Sequence, residues 1–191
     1  MSLEIVNYGN PVLRQKGAPI EKVTPEIEQL VQEMFDTMYA AHGIGLAAQQ
    51  IGKALQVCVI DVSPVDDRPS SMEINGQPVE VNAHMPMTLI NPQIKPYGKE
   101  VAGPEGCLSF PELYADVTRP EKVEVHALDS KGNEISFHCG GLLARAVQHE
   151  VDHLNGILFI DRMQKDDKEN LRDELDDLQA KTKADLKKKR A

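Results

Sequence analysis

His149-Glu150-Val151-Asp152-His153 places two imidazoles four residues apart, with a carboxylate directly after the first. On an α-helix residues i and i+4 share a face. His149 and His153 would therefore point to one spot, as two ligands of a single metal ion must. Glu150 would sit close enough to move a proton of a water held there without ligating the ion itself. Gly140-Gly141 precedes this stretch, and Asn155-Gly156 follows it with the chemistry of a helix C-terminal cap. Leu142, Leu143, Ala146, Val147, Val151 and Leu154 leave little continuous polar surface, which predicts a helix buried in the core. Imidazoles and a carboxylate in such a core cost several kcal/mol unless paired or bound to metal.

A catalytic ion of this kind usually has three protein ligands and one open position. The third His of the best-known extended motif is missing, since Phe159 stands in its place. Glu169 and Glu174 lie downstream in an acidic stretch that reads as a solvated helix face. Upstream there are three cysteines and no Cys-x-x-Cys pair, which argues against a disulfide framework. Cys58 falls in the apolar run from Leu55 to Ile60, which reads as a core strand. Cys139 sits in the turn before the helix, with no distinctive setting. Cys107 lies between Pro104 and Pro111, in a Gly- and Pro-punctuated loop suited to presenting a thiolate to a cleft. It is either the third ligand or a free loop cysteine. A third stretch, His42 to Gly52, is rich in Gly and Ala, which means that something approaches its backbone closely. Gln50 in it is either a neutral amide donor in a cleft or a surface residue.

Together these stretches resemble the peptide deformylases. That family carries Gly-x-Gly-x-Ala-Ala-x-Gln, Glu-Gly-Cys-Leu-Ser and Gln-His-Glu-x-Asp-His in this order. The chain matches them at Gly43–Gln50, Glu105–Ser109 and Gln148–His153, with Asn10-Pro11-Val12-Leu13-Arg14 similar to the family's opening. The resemblance covers roughly residues 3–165. It implies that Cys107, His149 and His153 hold an ion, usually iron(II), with zinc, nickel or cobalt able to take the same site. It implies that Glu150 acts as general base and then general acid. The Gln50 amide and the Leu108 backbone N–H would stabilise charge on the formyl oxygen. The implied substrates are N-formyl-methionyl nascent peptides, cleaved to formate and a free N-terminal methionine. Leu142 and Ala146 share a helix face with His149 and His153 by their spacing, and would wall the family's methionine pocket together with Ile44. The peptide is expected to lie extended beside Gly45 and Gly106. Tyr114 stands where some bacterial members have Arg. Arg145, one turn before His149, is expected to reach either the cleft mouth or solvent, with solvent as the default, and His42 the cleft rim or the surface.

Two rival readings come from other classes. A metallopeptidase sharing the His-Glu-x-x-His motif would not need Cys107. A non-catalytic ribosome-associated or metal-binding module would not need Glu150 and Gln50.

The elements that must position these residues can be sketched. Pro25 leads a helix with Ile27, Leu30, Val31, Met34 and Met38 on one face, after Thr24 as N-cap. Lys122–Leu128 and Glu134–His138 alternate around Asp129-Ser130-Lys131-Gly132-Asn133, a hairpin signature that leaves His126 and His138 on the polar side. The polar stretch from Val62 to Met85, with His84, looks like a flexible insertion. These elements imply an α+β fold, with antiparallel β-sheets packed around a central buried helix carrying the His-Glu-x-x-His motif, plus N-terminal and C-terminal helices.

Residues 1–165 form the expected catalytic domain. Residues 166–191 form an amphipathic helix marked by Leu171, Leu175 and Leu178, part of the same single-domain protein. The helix ends in a basic tip of Lys181, Lys183, Lys187, Lys188, Lys189 and Arg190. It either contacts ribosomal RNA or merely complements the helix dipole. A net charge of −9 argues against general nucleic-acid binding, DNA included. No apolar run reaches membrane-spanning length and no secretion signal opens the chain, so a cytoplasmic monomer is expected.

Overall fold

A computed structural model describes residues 2–189. Its centre is helix α2 (Gly141–Leu154), of which every residue but Gly141 and Arg145 is buried. Glycine is required where it begins. Gly141 has φ +67°, and a Cβ there would lie 2.1 Å from the Pro69 carbonyl oxygen. At the other end Gly156, with φ +73°, carries the chain away past Arg14. Helix α1 (Pro25–Ala40) starts on a proline, with Glu26 and Glu28 complementing its dipole. It buries Leu30, Val31, Met34 and Met38, as its periodicity predicts.

Among the described residues seven strands run antiparallel: β1 (Gly45–Ala47), β2 (Val57–Ile60), β3 (Ser70–Ile74), β4 (Gln77–Val79), β5 (Met87–Cys107), β6 (Phe110–Leu128) and β7 (Glu134–Gly140). Their hydrogen-bonded order is β1-β2-β5-β6-β7-β3-β4. Strands β5 and β6 are long and shift register at three places, which lets one ladder wrap the helix. Leu142, Leu143, Val147, Val151 and Leu154 pack there against Cys58, Leu89, Val123, Val125 and Phe137. Truncating a fully buried leucine such as Leu143 in this core costs about 2–5 kcal/mol. The β6–β7 hairpin pairs Leu128 with Glu134 around the expected turn, and Cys58 is a fully buried residue of β2.

Three local expectations are corrected. The stretch from Pro104 to Pro111 is not a loop. It is the end of β5 and the start of β6, joined by Leu108-Ser109, with Cys107 paired to Phe110. Of the Gly and Pro residues that suggested a loop, Gly106 sits at a register shift of the ladder and Pro104 is paired with Asp116. The polar insertion is not simply flexible, because its middle folds as the β3–β4 hairpin, pairs with β7 and buries Met72 and Val81. Cys139 lies not in a turn but in β7, buried and paired with Val123 and Met72.

At the C-terminus, α3 (Lys165–Asn170) and α4 (Arg172–Lys188) are separated at Leu171. Leu175 is buried against Leu13, Phe110, Leu158 and Phe159, while Leu171 and Leu178 pack at the edge of that cluster. Arg190 lies outside the described residues. Among the described residues no helix is long and apolar enough to cross a membrane.

Candidate active site

Helix α2 presents His149, Glu150 and His153, with the two imidazole rings edge to face at 5.1 Å between centroids. Strand β5 brings Cys107 to the same place, its Sγ 3.2 Å from His153 Nε2. One donor atom from each of Cys107, His149 and His153 lies within 4.8 Å of the others. Tetrahedral bonds of about 2.0–2.3 Å set neighbouring donors roughly 3.5 Å apart, so a small closure seats an ion.

The two imidazoles are pushed in opposite directions. Burial lowers the basicity of His149, but hydrogen bonds to Cys107 and Glu105 outweigh it and hold the imidazole well above its ordinary range. Its Nδ1 lies 2.9 Å from Glu105 Oε2, which leaves Nε2 for the cluster. Burial, helped by His149, pushes His153 well below its ordinary range and keeps it in the neutral form that a ligand needs. One cysteine sulfur and two imidazoles are a donor set that fits a divalent transition-metal ion.

Behind the donors runs a buried ionic chain. Arg119 Nε and one terminal nitrogen hold Glu105 at 2.5 and 2.9 Å, and its other terminal nitrogen reaches Asp152 at 2.8 Å. Arg162 clamps the far side of Asp152 at 2.8 and 3.2 Å. Burial alone would raise the Glu105 pKa, but hydrogen bonds from His149 and Arg119 bring it down to about 2. The sequence reading gave none of these residues a role. Glu105 and Asp152 nonetheless stand inside the quoted motifs. An acid within an otherwise apolar buried helix signals a buried counter-ion.

Glu150 has a different environment. Its Oε2 is buried with no hydrogen-bond partner among the described residues, and its Oε1 occupies the space that a side chain at position 45 would take. Burial is the main cause that lifts its pKa to about 7, where one carboxyl group can both take and give a proton. Gln50 sits in the 3-10 turn Ala48–Ile51 that follows β1. The Ala47 N–H donates to its Oε1 at 2.9 Å, which turns Nε2 toward Cys107 Sγ at 3.5 Å. The side-chain N–H donors therefore aim at the donor cluster.

A cleft of ≈ 460 Å³ opens in front. Its walls include Ile44, Gly45, Gln50, Gly106, Cys107, Leu108, Leu142, Ala146, His149 and Glu150, with His153 buried behind them. The structure thus brings together the residues that the resemblance assigned to the site. Glu169 and Glu174 are exposed on the C-terminal helices, and Phe159 packs 6.1 Å from the His149 ring. His42 is exposed at the cleft rim. Of the two places expected for Arg145, the default of solvent is overturned, and the residue lines the cleft. It bonds Glu105 at 2.9 Å and the carbonyls of Val117 and Val101 at 2.7 and 2.8 Å, because the bent β5–β6 ladder folds over its helix turn. Tyr114 is 71% exposed and lies over Gly106, where a Cβ would meet its ring at 2.6 Å.

Comparison with known proteins points to one family. The family model described as Polypeptide deformylase matches residues 2–169. Among curated relatives, a peptide deformylase of Opitutus terrae is 48% identical over 86% of each chain. One from Methylacidiphilum infernorum is 46% identical over 92% of each. Among solved structures, Arabidopsis thaliana peptide deformylase 1B superposes with a TM-score of 0.82 at 40% identity, covering 96% of this chain and 93% of the other. A peptide deformylase from Legionella pneumophila gives 0.78 at 36% identity, covering 93% and 95%.

Proposed function

The chain belongs to the peptide deformylase family of metal-dependent hydrolases that remove the formyl group from the N-terminus of new polypeptides, and we propose that Cys107, His149 and His153 hold its ion while Glu150 moves the protons. The observation that carries this assignment is the convergence of one thiol and two imidazoles within 4.8 Å, with a buried carboxylate beside them. A divalent ion bound there would polarise the formyl carbonyl and acidify the attacking water. Iron(II) is the ion we expect, and the donor set also suits zinc, nickel or cobalt.

Glu150, with a pKa lifted to about 7, takes the proton of the attacking water and delivers it to the departing amine. Gln50 Nε2 donates to the formyl oxygen where negative charge develops, and the Leu108 backbone N–H does the same. One such donor is typically worth roughly 10²–10³ in rate. Ile44, Leu142 and Ala146 receive the methionine side chain. The peptide lies extended beside Gly45 and Gly106, pairing through its main chain, so only the first side chain is read strictly. A metallopeptidase would leave Cys107 at the cluster unexplained, and a non-catalytic module would leave Glu150 and Gln50 unexplained.

The substrates are N-formyl-methionyl nascent peptides, processed by a cytoplasmic monomer whose residues 1–165 carry the catalytic centre. Residues 166–191 belong to the same domain, since Leu175 is buried against Leu13 and Phe159. The exposed Lys181, Lys183 and Lys187 make no ion pair among the described residues and suit contact with ribosomal phosphates. The test is formate release from an N-formyl-methionyl tripeptide by protein reconstituted with iron(II) under anaerobic conditions. Formate with a non-formylated control left intact supports deformylation; hydrolysis of the control alone supports the metallopeptidase.

A further inference from the structure

We propose that Arg68 is a specificity residue, whose guanidinium at the rim of the methionine pocket favours an acidic side chain at the third residue of the substrate. The proposal rests on the deformylase reading above. Two guanidinium groups line the cleft, and they differ in commitment. Arg145 is consumed by Glu105 and by the carbonyls of Val101 and Val117. Arg68 is half-buried and, among the described residues, makes neither a hydrogen bond nor an ion pair, even with the adjacent Asp66 and Asp67.

Its position is held by the fold. The carbonyl of Pro69, the next residue, accepts from Leu142 N at 3.0 Å, and Ser70 Oγ accepts from Leu143 N at 3.0 Å. The β3–β4 insertion is thus stitched to the first turn of α2, one residue after Arg68. Leu142 in that turn is a wall of the methionine pocket, so Arg68, one residue before Pro69, stands beside this wall. In an extended peptide successive side chains alternate, so the third points to the same wall as the first, roughly 6.6 Å further out. An unpaired, partly desolvated cation at that place attracts a carboxylate and repels an ammonium.

The experiment compares kcat/KM for N-formyl-Met-Ala-Glu-amide, its Gln and Lys counterparts, and N-formyl-Met-Glu-Ala-amide. The amides remove the terminal carboxylate as a rival anion. Full-length protein loaded with iron(II) is used as wild type, Arg68→Gln and Arg68→Glu, with metal content measured for each. The wild type is expected to favour Glu over Gln at the third residue by about 2–5-fold, as for a solvent-accessible ion pair. The preference should appear in KM and shrink with added salt. Arg68→Gln should abolish it, and Arg68→Glu should turn it toward Lys. Equal values for Glu and Gln in the wild type, a preference that survives Arg68→Gln, or one for Glu at the second residue would overturn the assignment while deformylation stands. Formate from none of the peptides overturns the deformylase reading and this proposal with it.

Discussion

Replacing Gly45 by Ala should disable the enzyme by moving Glu150. An ideal Cβ at position 45 lies 2.2 Å from Glu150 Oε1, 2.8 Å from Cδ and 3.0 Å from Cγ. Ordinary contact begins near 3.4 Å, so the carboxylate must retreat by roughly 1.2 Å. The backbone is no obstacle, since Gly45 is not at positive φ and alanine fits strand β1. A misplacement of about 1 Å in a catalytic group costs on the order of 10²-fold, and complete loss of a general acid–base about 10²–10⁴-fold. We therefore expect kcat of Gly45→Ala to fall by about 10²–10³, close to the value for Glu150→Gln. The overpacking should also destabilise the fold by about 1–3 kcal/mol. Formate release from a formylated tripeptide gives the rate, metal analysis shows whether the ion is retained, and urea unfolding gives stability. In a Glu150→Ala background the alanine has nothing to strike, so its destabilisation should largely vanish. Activity of Gly45→Ala within threefold of wild type, or an equal stability loss in both backgrounds, would refute the reasoning.

Other predictions follow from the same geometry. Cys107→Ser should lower iron retained after dialysis and abolish deformylation, with metal analysis and formate release as the readouts. Arg119→Ala leaves Glu105 and Asp152 without their shared partner, although Arg145 and Arg162 remain. Breaking such a buried pair costs about 3–5 kcal/mol, which thermal unfolding should show as a Tm drop of roughly 6–20 °C. Glu105 sits near 2 in the folded protein against an ordinary 4.5, so its contribution is present above pH 4.5 and is lost as pH falls toward 2. The gap corresponds to about 3 kcal/mol, and urea unfolding of chelator-treated protein at pH 6 and pH 2.5 should show that part of the pH dependence disappearing in Glu105→Gln. Truncation after Gln179 retains the buried Leu175 but removes the basic tip. It should abolish salt-sensitive co-sedimentation with ribosomes while deformylation of free peptides stays within twofold.

The chemistry was legible in the sequence wherever it depends on local periodicity. His149 and His153 had to share a face if their segment was helical, and the apolar residues between Leu142 and Leu154 made that helix a core element whatever surrounds it. The α1 stripe and the β6–β7 hairpin were readable for the same reason, since each is specified by neighbours a few residues apart. The role of Cys107 was open to the residues alone, and only the resemblance favoured it as a ligand. Its placement against His153 depends on β5 ending beside α2, a pairing across 46 residues of chain. Pairing between different elements, across 14, 33 and 10 residues, likewise hid the clamp on Glu105 and Asp152. Arg119 comes from β6, Arg162 follows α2, and no local pattern ties either to the acids they neutralise. Arg145 was misplaced because helical spacing gives its direction but not the strands that fold over it. Pro104–Pro111 was misread because a register shift and a two-residue turn between long strands have the composition of a loop. Residue types and short spacings determined which groups could do chemistry. The long-range pairing of β5, β6 and the β3–β4 insertion with α2 decided which of them meet, since burial and opposite charge act between whatever the ladder brings into contact.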